Sequence, residues 1–172
     1  AATRPEVRGV AIKSVAQQDV QALHRLRAHC VASRTALTNQ LRGLLGEYGV
    51  VMPRGVGRLR RRLPVVLEDG ENGLSAGFRQ LLAQGYRQLC ELDDHIRCYT
   101  EQLTVQAKQD EDCRRLQTIP GFGPIVASVF HAQVGDGRAY RRGRDVAASL
   151  GLVPRQHSSG GETGAAGDQQ AR

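Results

Sequence analysis

Apolar residues in the first third of the chain return at steps of three and four. Ala16, Val20, Leu23, Cys30, Leu37, Leu41, Leu44 and Tyr48 share one register, the heptad spacing of a helix that packs along a partner helix. Ser14 with Gln17 three residues on predicts a capping box at its start, and Gly49 and Pro53 predict its end. Arg27 and Arg34 fall on the same seam; they mark either a polar layer or points where the helix leaves its partner. A second long helix is predicted from about Leu74 to Gln109, with Phe78, Leu81, Leu82, Leu89, Leu92, Ile96, Tyr99 and Leu103 on one side. Two such helices predict an all-α protein built on a long antiparallel helical hairpin, a coiled coil over residues 14–109 that also pairs subunits. A compact four-helix bundle formed with the later helices is the alternative.

Between the two helices, residues 53–64 read as a basic loop, with Arg54, Arg58, Arg60, Arg61 and Arg62. A solvated loop and a contact to a nucleic-acid backbone are both open for it. After the second helix comes LQTIPGFGPIVA, residues 116–127, which predicts a small helix-hairpin-helix. Gly121 and Gly123 can take the positive φ that a very short turn requires, and Pro124 suits the first position of the next helix. Leu116, Ile119, Ile125 and Val126 are placed to pack the two helices together, with Phe122 capping the turn. Free N–H groups at such a turn and helix start make an anion site; an ordinary turn between packed helices is the plainer reading. The second helix of this pair is expected to end near Gly135. GRAYRRGR, residues 137–144, is a second basic loop with Arg141, Arg142 and Arg144; Asp145 is expected to cap a short helix stopped by Gly151.

Charge narrows the partner. The formal net charge is +7 and the sequence pI about 9.8, which favours a polyanion. Lys occurs only at positions 13 and 108, so arginine carries the excess, and its planar fork suits phosphate and guanine edges. With 4% aromatic residues and no Trp, a base-stacking platform for single strands is not expected. Cys30, Cys90, Cys98 and Cys113 form no CxxC pair and have no His at zinc-ligand spacing; they read as thiols in a reducing compartment. No apolar run is long enough to span a membrane, and a cytoplasmic, nucleoid-associated protein is expected.

IPGFGPIVAS followed by RAYRRGRDVAASLGLVPRQHSSGG resembles the C-terminal domain of the DEDD transposases of the IS-one-ten family, the Piv-like recombinases. The segment from Val7 to Gly55 is similar to the family's passage from its catalytic domain into a coiled coil. The resemblance covers roughly residues 3–161. It implies an upstream RuvC-like fold whose four acidic residues hold divalent metal, expected to be Mg, and a C-terminal serine that attacks a DNA phosphodiester. It also implies DNA as partner, in several members an element-encoded guide RNA, and a homo-oligomer held by the coiled coil. Carried onto this chain, the nucleophile is Ser159, with Ser158 second. Arg141, Arg142, Arg144 and Arg155 are expected to help bind DNA, together with Gly121, Phe122, Gly123, Arg58, Arg60, Arg61 and Arg62.

On this reading, residues 1–13 are a remnant of the upstream domain, with Val7, Val10 and Ile12 in a brief strand. Residues 110–161 are the helix-hairpin-helix domain, and the Gly-rich residues 162–172 a disordered or truncated tail. The carboxylates ahead of the long helices are sparse, and Asp110, Glu111 and Asp112 read as a solvated linker, so no metal ligand is assigned. The chain opens on Ala1, and the expectation is a fragment unable to complete the chemistry alone. The rival expectation is a non-catalytic helix-hairpin-helix DNA-binding module, or a dimerising coiled-coil protein.

Overall fold

Ser14 and Gln17 do form the capping box: the Gln17 N–H donates to Ser14 Oγ at 3.2 Å, and the Ser14 N–H to Gln17 Oε1 at 2.9 Å. They open α1, Val15–Glu47. The computed structural model describes residues 13–152, 156–159 and 162–165. Within them follow α2 (Val56–Glu68), α3 (Ala76–Gln109), α4 (Glu111–Leu116), α5 (Pro124–Val134) and α6 (Gly143–Ser149). A short antiparallel ladder, β1 (Gln156–Ser159) with β2 (Glu162–Ala165), completes the order. The fold is all-helical apart from that ladder, as the periodicity predicts. The predicted strand at Val7–Ile12 lies outside the described residues.

The chain divides into two compact units, Ser14–Gln133 and residues 1–13 with 134–172. In the first, α1 and α3 run antiparallel. Arg27 meets Thr100, Arg34 meets Asp93, Leu41 meets Gly85 and Tyr48 stacks on Phe78. Each step of seven residues along α1 is thus answered by seven or eight along α3, the spacing expected of helices that stay in contact over many turns. Arg27 and Arg34 are a polar layer in this seam: Arg27 Nε donates to Thr100 Oγ1 at 2.8 Å and Arg34 Nη1 to Asp93 Oδ1 at 2.9 Å. Leu81, expected on the packed side of α3, is exposed instead.

The expected basic loop at 53–64 is not a loop. Gly55, at φ +101°, turns the chain into α2, whose Leu59, Leu63 and Val66 are buried. Those three lie at steps of four and three, one face of a helix, and they join Leu41, Leu45, Leu74, Leu82 and Leu89 in the main core. Burying each leucine contributes about 1.5–3 kcal/mol, and this outweighs the mutual repulsion of the arginines on the other face. Arg79 closes the end of α2: its guanidinium donates to the carbonyls of Val66 and Leu67 and to Asn72 Oδ1, filling acceptors a helix end leaves open.

At the opposite end of the pair, Asp110 breaks α3 and starts α4. Its backbone N–H still donates to Gln106 O, while its side chain accepts from the Cys113 N–H at 2.7 Å. Asp110 is therefore a helix cap, not a solvated linker residue. A small second core gathers Ala107, Cys113 and Ala127, with Leu116 against it. The expected domain boundary at 110 falls inside this unit. In the other unit, Asp145 lies in the first turn of α6 and its carboxylate accepts from the Arg142 N–H at 3.2 Å, so it reaches back to cap from inside the helix.

Candidate nucleic-acid interface

The turn between α4 and α5 leads into the N-terminus of α5. Gly121 holds φ +88°, a conformation that strains any side chain. Gly123 does not use positive φ; its carbonyl accepts from the Ala127 N–H at 2.9 Å, and Pro124 occupies the first position of α5, as expected. The N–H groups of Ile125 and Val126 precede that first ladder bond and lie among the donors a helix leaves unfilled at its start. Phe122 packs edge-on against Phe130, with ring centroids 5.6 Å apart. The packing differs from expectation in one respect: Ile119 is 47% and Val126 43% exposed. The small residues Ala107, Cys113 and Ala127 bring the helices together in their place.

Arg58, Arg61 and Arg62 lie on the exposed face of α2 and make no ion pair among the described residues. Arg60 is different: its Nη1 lies 2.8 Å from Asp93 Oδ2, so part of its charge is committed to holding α2 on α3. The α2 arginines sit beside the Leu41–Leu45 end of α1, whereas α5 meets the other end through Gln21 and His24. About twenty residues of helix, roughly 30 Å, separate the two. The fold therefore does not bring the basic face of α2 and the Gly121 turn into one site.

In the second unit, Arg141 and Arg142 are exposed at the start of α6, and Arg144 Nε lies 3.9 Å from Asp145 Oδ1. Ser158 and Ser159 lie on β1, paired with Thr163 and Glu162. Glu162–Ala165, expected in the tail, is thus a strand; Arg155 and residues 166–172 lie outside the described residues.

One cluster was missed in the sequence. Asp110, Cys113 and His131 each place a ligand atom within 4.8 Å of the others. His131 Nδ1 is 3.2 Å from Asp110 Oδ1 and 3.7 Å from Cys113 Sγ, and its Nε2 is 3.8 Å from Asp112 Oδ2. Burial pushes the Cys113 thiol up, and the charges of Asp110 and Asp112 add to this, to about 12. Burial also pushes the Asp110 carboxyl up, but the Cys113 N–H and the charge of His131 override it and leave it below its ordinary value. The signal was Asp-x-x-Cys at a helix start; its histidine comes from the following helix, a spacing outside familiar zinc patterns. Among the described residues no helix is long and apolar enough to cross a membrane.

The described residues thus combine two long paired helices, a glycine turn at a helix start and two exposed groups of arginines. Residues 113–172 match the family model described as Transposase IS116/IS110/IS902 family. Over 93% of its length the chain is 47% identical to the transposase for insertion sequence element IS1111A of Coxiella burnetii. Over 94% it is 42% identical to a probable family 20 transposase of Pseudomonas aeruginosa, and over 95% it is 39% identical to the transposase for insertion sequence element IS1328 of Yersinia enterocolitica. It covers 44%, 48% and 48% of those proteins, so the chain spans less than half the length of the curated relatives it matches. By sequence it is similar to insertion-sequence transposases along nearly all of its own length. No solved structure matches it.

Proposed function

We propose that this chain is the DNA-holding and oligomer-forming portion of a DEDD, Piv-like transposase, and that it contributes the serine nucleophile. The observation that carries the reading is the similarity to insertion-sequence transposases over more than nine-tenths of the chain. The exposed arginines of α2 and of the α6 start, with the Gly121 turn, then serve as backbone contacts that position DNA without reading its sequence. In the cleavage step the Ser159 hydroxyl oxygen attacks the phosphorus of a DNA phosphodiester. A serine–phosphate bond forms, the bond to one deoxyribose oxygen breaks, and that oxygen takes up a proton. Ser158 is the alternative nucleophile. A guide RNA encoded by the element, a homo-oligomer and a place beside the nucleoid belong to the same reading. Exposed Leu26, Leu81 and Val105 on the long helices support the oligomer.

The family's divalent metal calls for several carboxylates around a hard cation. The ligand group among the described residues, Asp110, Cys113 and His131, does not fit magnesium, because thiolate and imidazole favour softer metals. No step is assigned to a metal held by this chain.

Two measurements test the reading. Binding of the chain to duplex DNA, followed by fluorescence anisotropy, is expected to weaken steeply with salt and to tolerate sequence changes; salt-independent binding or none overturns the DNA-holding role. In a full-length transposase carrying these residues, Ser159→Ala is expected to abolish the covalent protein–DNA adduct. An adduct that persists there but vanishes in Ser158→Ala moves the nucleophile by one residue, and one that persists in both removes the serine assignment.

A further inference from the structure

We propose that Asp110, Cys113 and His131 are a binding site for one zinc-class divalent cation, which fastens α5 to the junction of α3 and α4. The inference is independent of the serine assignment and of DNA binding.

The donors arrive from three places: Asp110 at the break between α3 and α4, Cys113 on the first turn of α4, and His131 in α5. A tetrahedral zinc bound at about 2.3 Å to sulfur and about 2.0–2.1 Å to nitrogen and oxygen has ligand–ligand edges of roughly 3.3–3.6 Å. The separations found are 3.2 Å for His131 Nδ1 to Asp110 Oδ1 and 3.7 Å for His131 Nδ1 to Cys113 Sγ. As a hydrogen bond the first is long, since charge-assisted N–H···O contacts close to about 2.7–2.9 Å. These two separations lie within about 0.1 Å of the edges of a tetrahedral site, and all three ligand atoms lie within 4.8 Å of one another.

The surroundings supply a second observation. With Nδ1 turned to the cluster, the other ring nitrogen, Nε2, faces Asp112 Oδ2 at 3.8 Å. At that distance the contact is ionic and not a hydrogen bond; closing onto Nε2, the Asp112 carboxylate would orient a metal-bound histidine. The Cys113 N–H, 2.7 Å from Asp110 Oδ1, holds that carboxylate in place. The three donors also line a cavity of about 620 Å³, with Asp19 and Ser128 on its wall, which leaves room for a water as fourth ligand. Sulfur, nitrogen and oxygen together select zinc over magnesium or calcium. On binding, Cys113 becomes the thiolate and its proton leaves to solvent, while His131 binds neutral through Nδ1 with its proton on Nε2.

The test is a titration of the whole chain, stripped of metal, with Co2+ as an optical stand-in for Zn2+. One equivalent is expected to produce a thiolate-to-cobalt charge-transfer band with tetrahedral visible bands, and Zn2+ is expected to displace it. Cys113→Ala is expected to remove the charge-transfer band although Cys30, Cys90 and Cys98 remain. His131→Gln, on a half-buried residue, keeps the fold testable by circular dichroism and is expected to weaken Co2+ binding at least 100-fold. Asp112→Asn is expected to weaken it about 10-fold or more. Absence of the band in the unaltered chain overturns the site, as does a band that survives Cys113→Ala or affinity unchanged in folded His131→Gln.

Discussion

Leu41 packs onto the bare backbone of Gly85: a Cβ built there would lie 2.7 Å from Leu41 Cδ2. Both residues are buried, near the end of α1 and the start of α3, where α2 joins the core. Gly85→Ala gains helix propensity of about 0.5–1 kcal/mol but overpacks a filled core, which costs about 1–3 kcal/mol. The expected net effect is a loss of about 1 kcal/mol. Gly77, in the same helix with open space around it, is the control: Gly77→Ala is expected to stabilise by a few tenths of a kcal/mol. Urea unfolding of the double-mutant cycle decides the cause, because Gly85→Ala becomes stabilising in a Leu41→Ala background if the clash is the reason.

Asp93 is the second point where the helices are tied, and its two partners are unequal. Arg34 is 27% exposed and Asp93 16%, whereas Arg60 is 45% exposed; Arg34 Nε is buried without a hydrogen-bond partner. Asp93→Ala leaves Arg34 as a half-buried cation with no counter-charge, at a cost of about 2 kcal/mol, between the values for exposed and fully buried pairs. Arg60→Ala is expected to cost about 0.5 kcal/mol, and less in high salt, which screens the exposed arm first. Denaturation midpoints at low and high salt check both; equal costs for the two variants would refute the ranking.

The long hairpin was legible because heptad spacing and the Ser14–Gln17 box are local signals that tertiary packing reinforces. α2 was not, because its apolar step is only Leu59, Leu63 and Val66, set among five arginines and interrupted by Pro64. The Gly121 turn and Pro124 were legible from backbone demands alone. The Asp110–Cys113–His131 cluster was not, since its histidine is set by how α5 folds back on α4, a tertiary relationship with no sequence spacing of its own. The pairing of Arg60 with Asp93 joins residues 33 apart and leaves no local pattern in the sequence.

His24 gives the chain a pH-dependent seam. It lies on α1 with Nε2 3.1 Å from Ser128 Oγ of α5, and burial first, then the charge of Arg27, lowers its pKa. The unfolded chain takes up a proton near the ordinary value of about 6.5, before the folded chain does. Between that value and the lower folded one, the unfolded state binds more protons, so stability rises with pH. The contribution is complete above about pH 6.5 and is lost as the pH falls below it. Asp110, with its lowered pKa, acts in a separate window: its contribution holds above about 4 and is lost in stronger acid. Unfolding curves from pH 7.5 to 5 are expected to slope in the unaltered chain and to flatten in His24→Gln. A slope that is unchanged in that variant refutes the assignment.

The basic face of α2 separates charge that is free to meet phosphate from charge that is spent inside the fold. Arg58, Arg61 and Arg62 are exposed and make no ion pair among the described residues, while Arg60 is held by Asp93. Each phosphate contact releases counter-ions and adds about 0.9 to the slope of log K against log salt on duplex DNA. Changing Arg58, Arg61 and Arg62 together to Gln is therefore expected to reduce that slope by about 2–3. Arg60→Gln is expected to reduce it by well under 1 and to act on stability instead. A slope left unchanged by the triple change would mean that α2 stays clear of the DNA, and the Gly121 turn with the arginines at the start of α6 would then have to carry the contact.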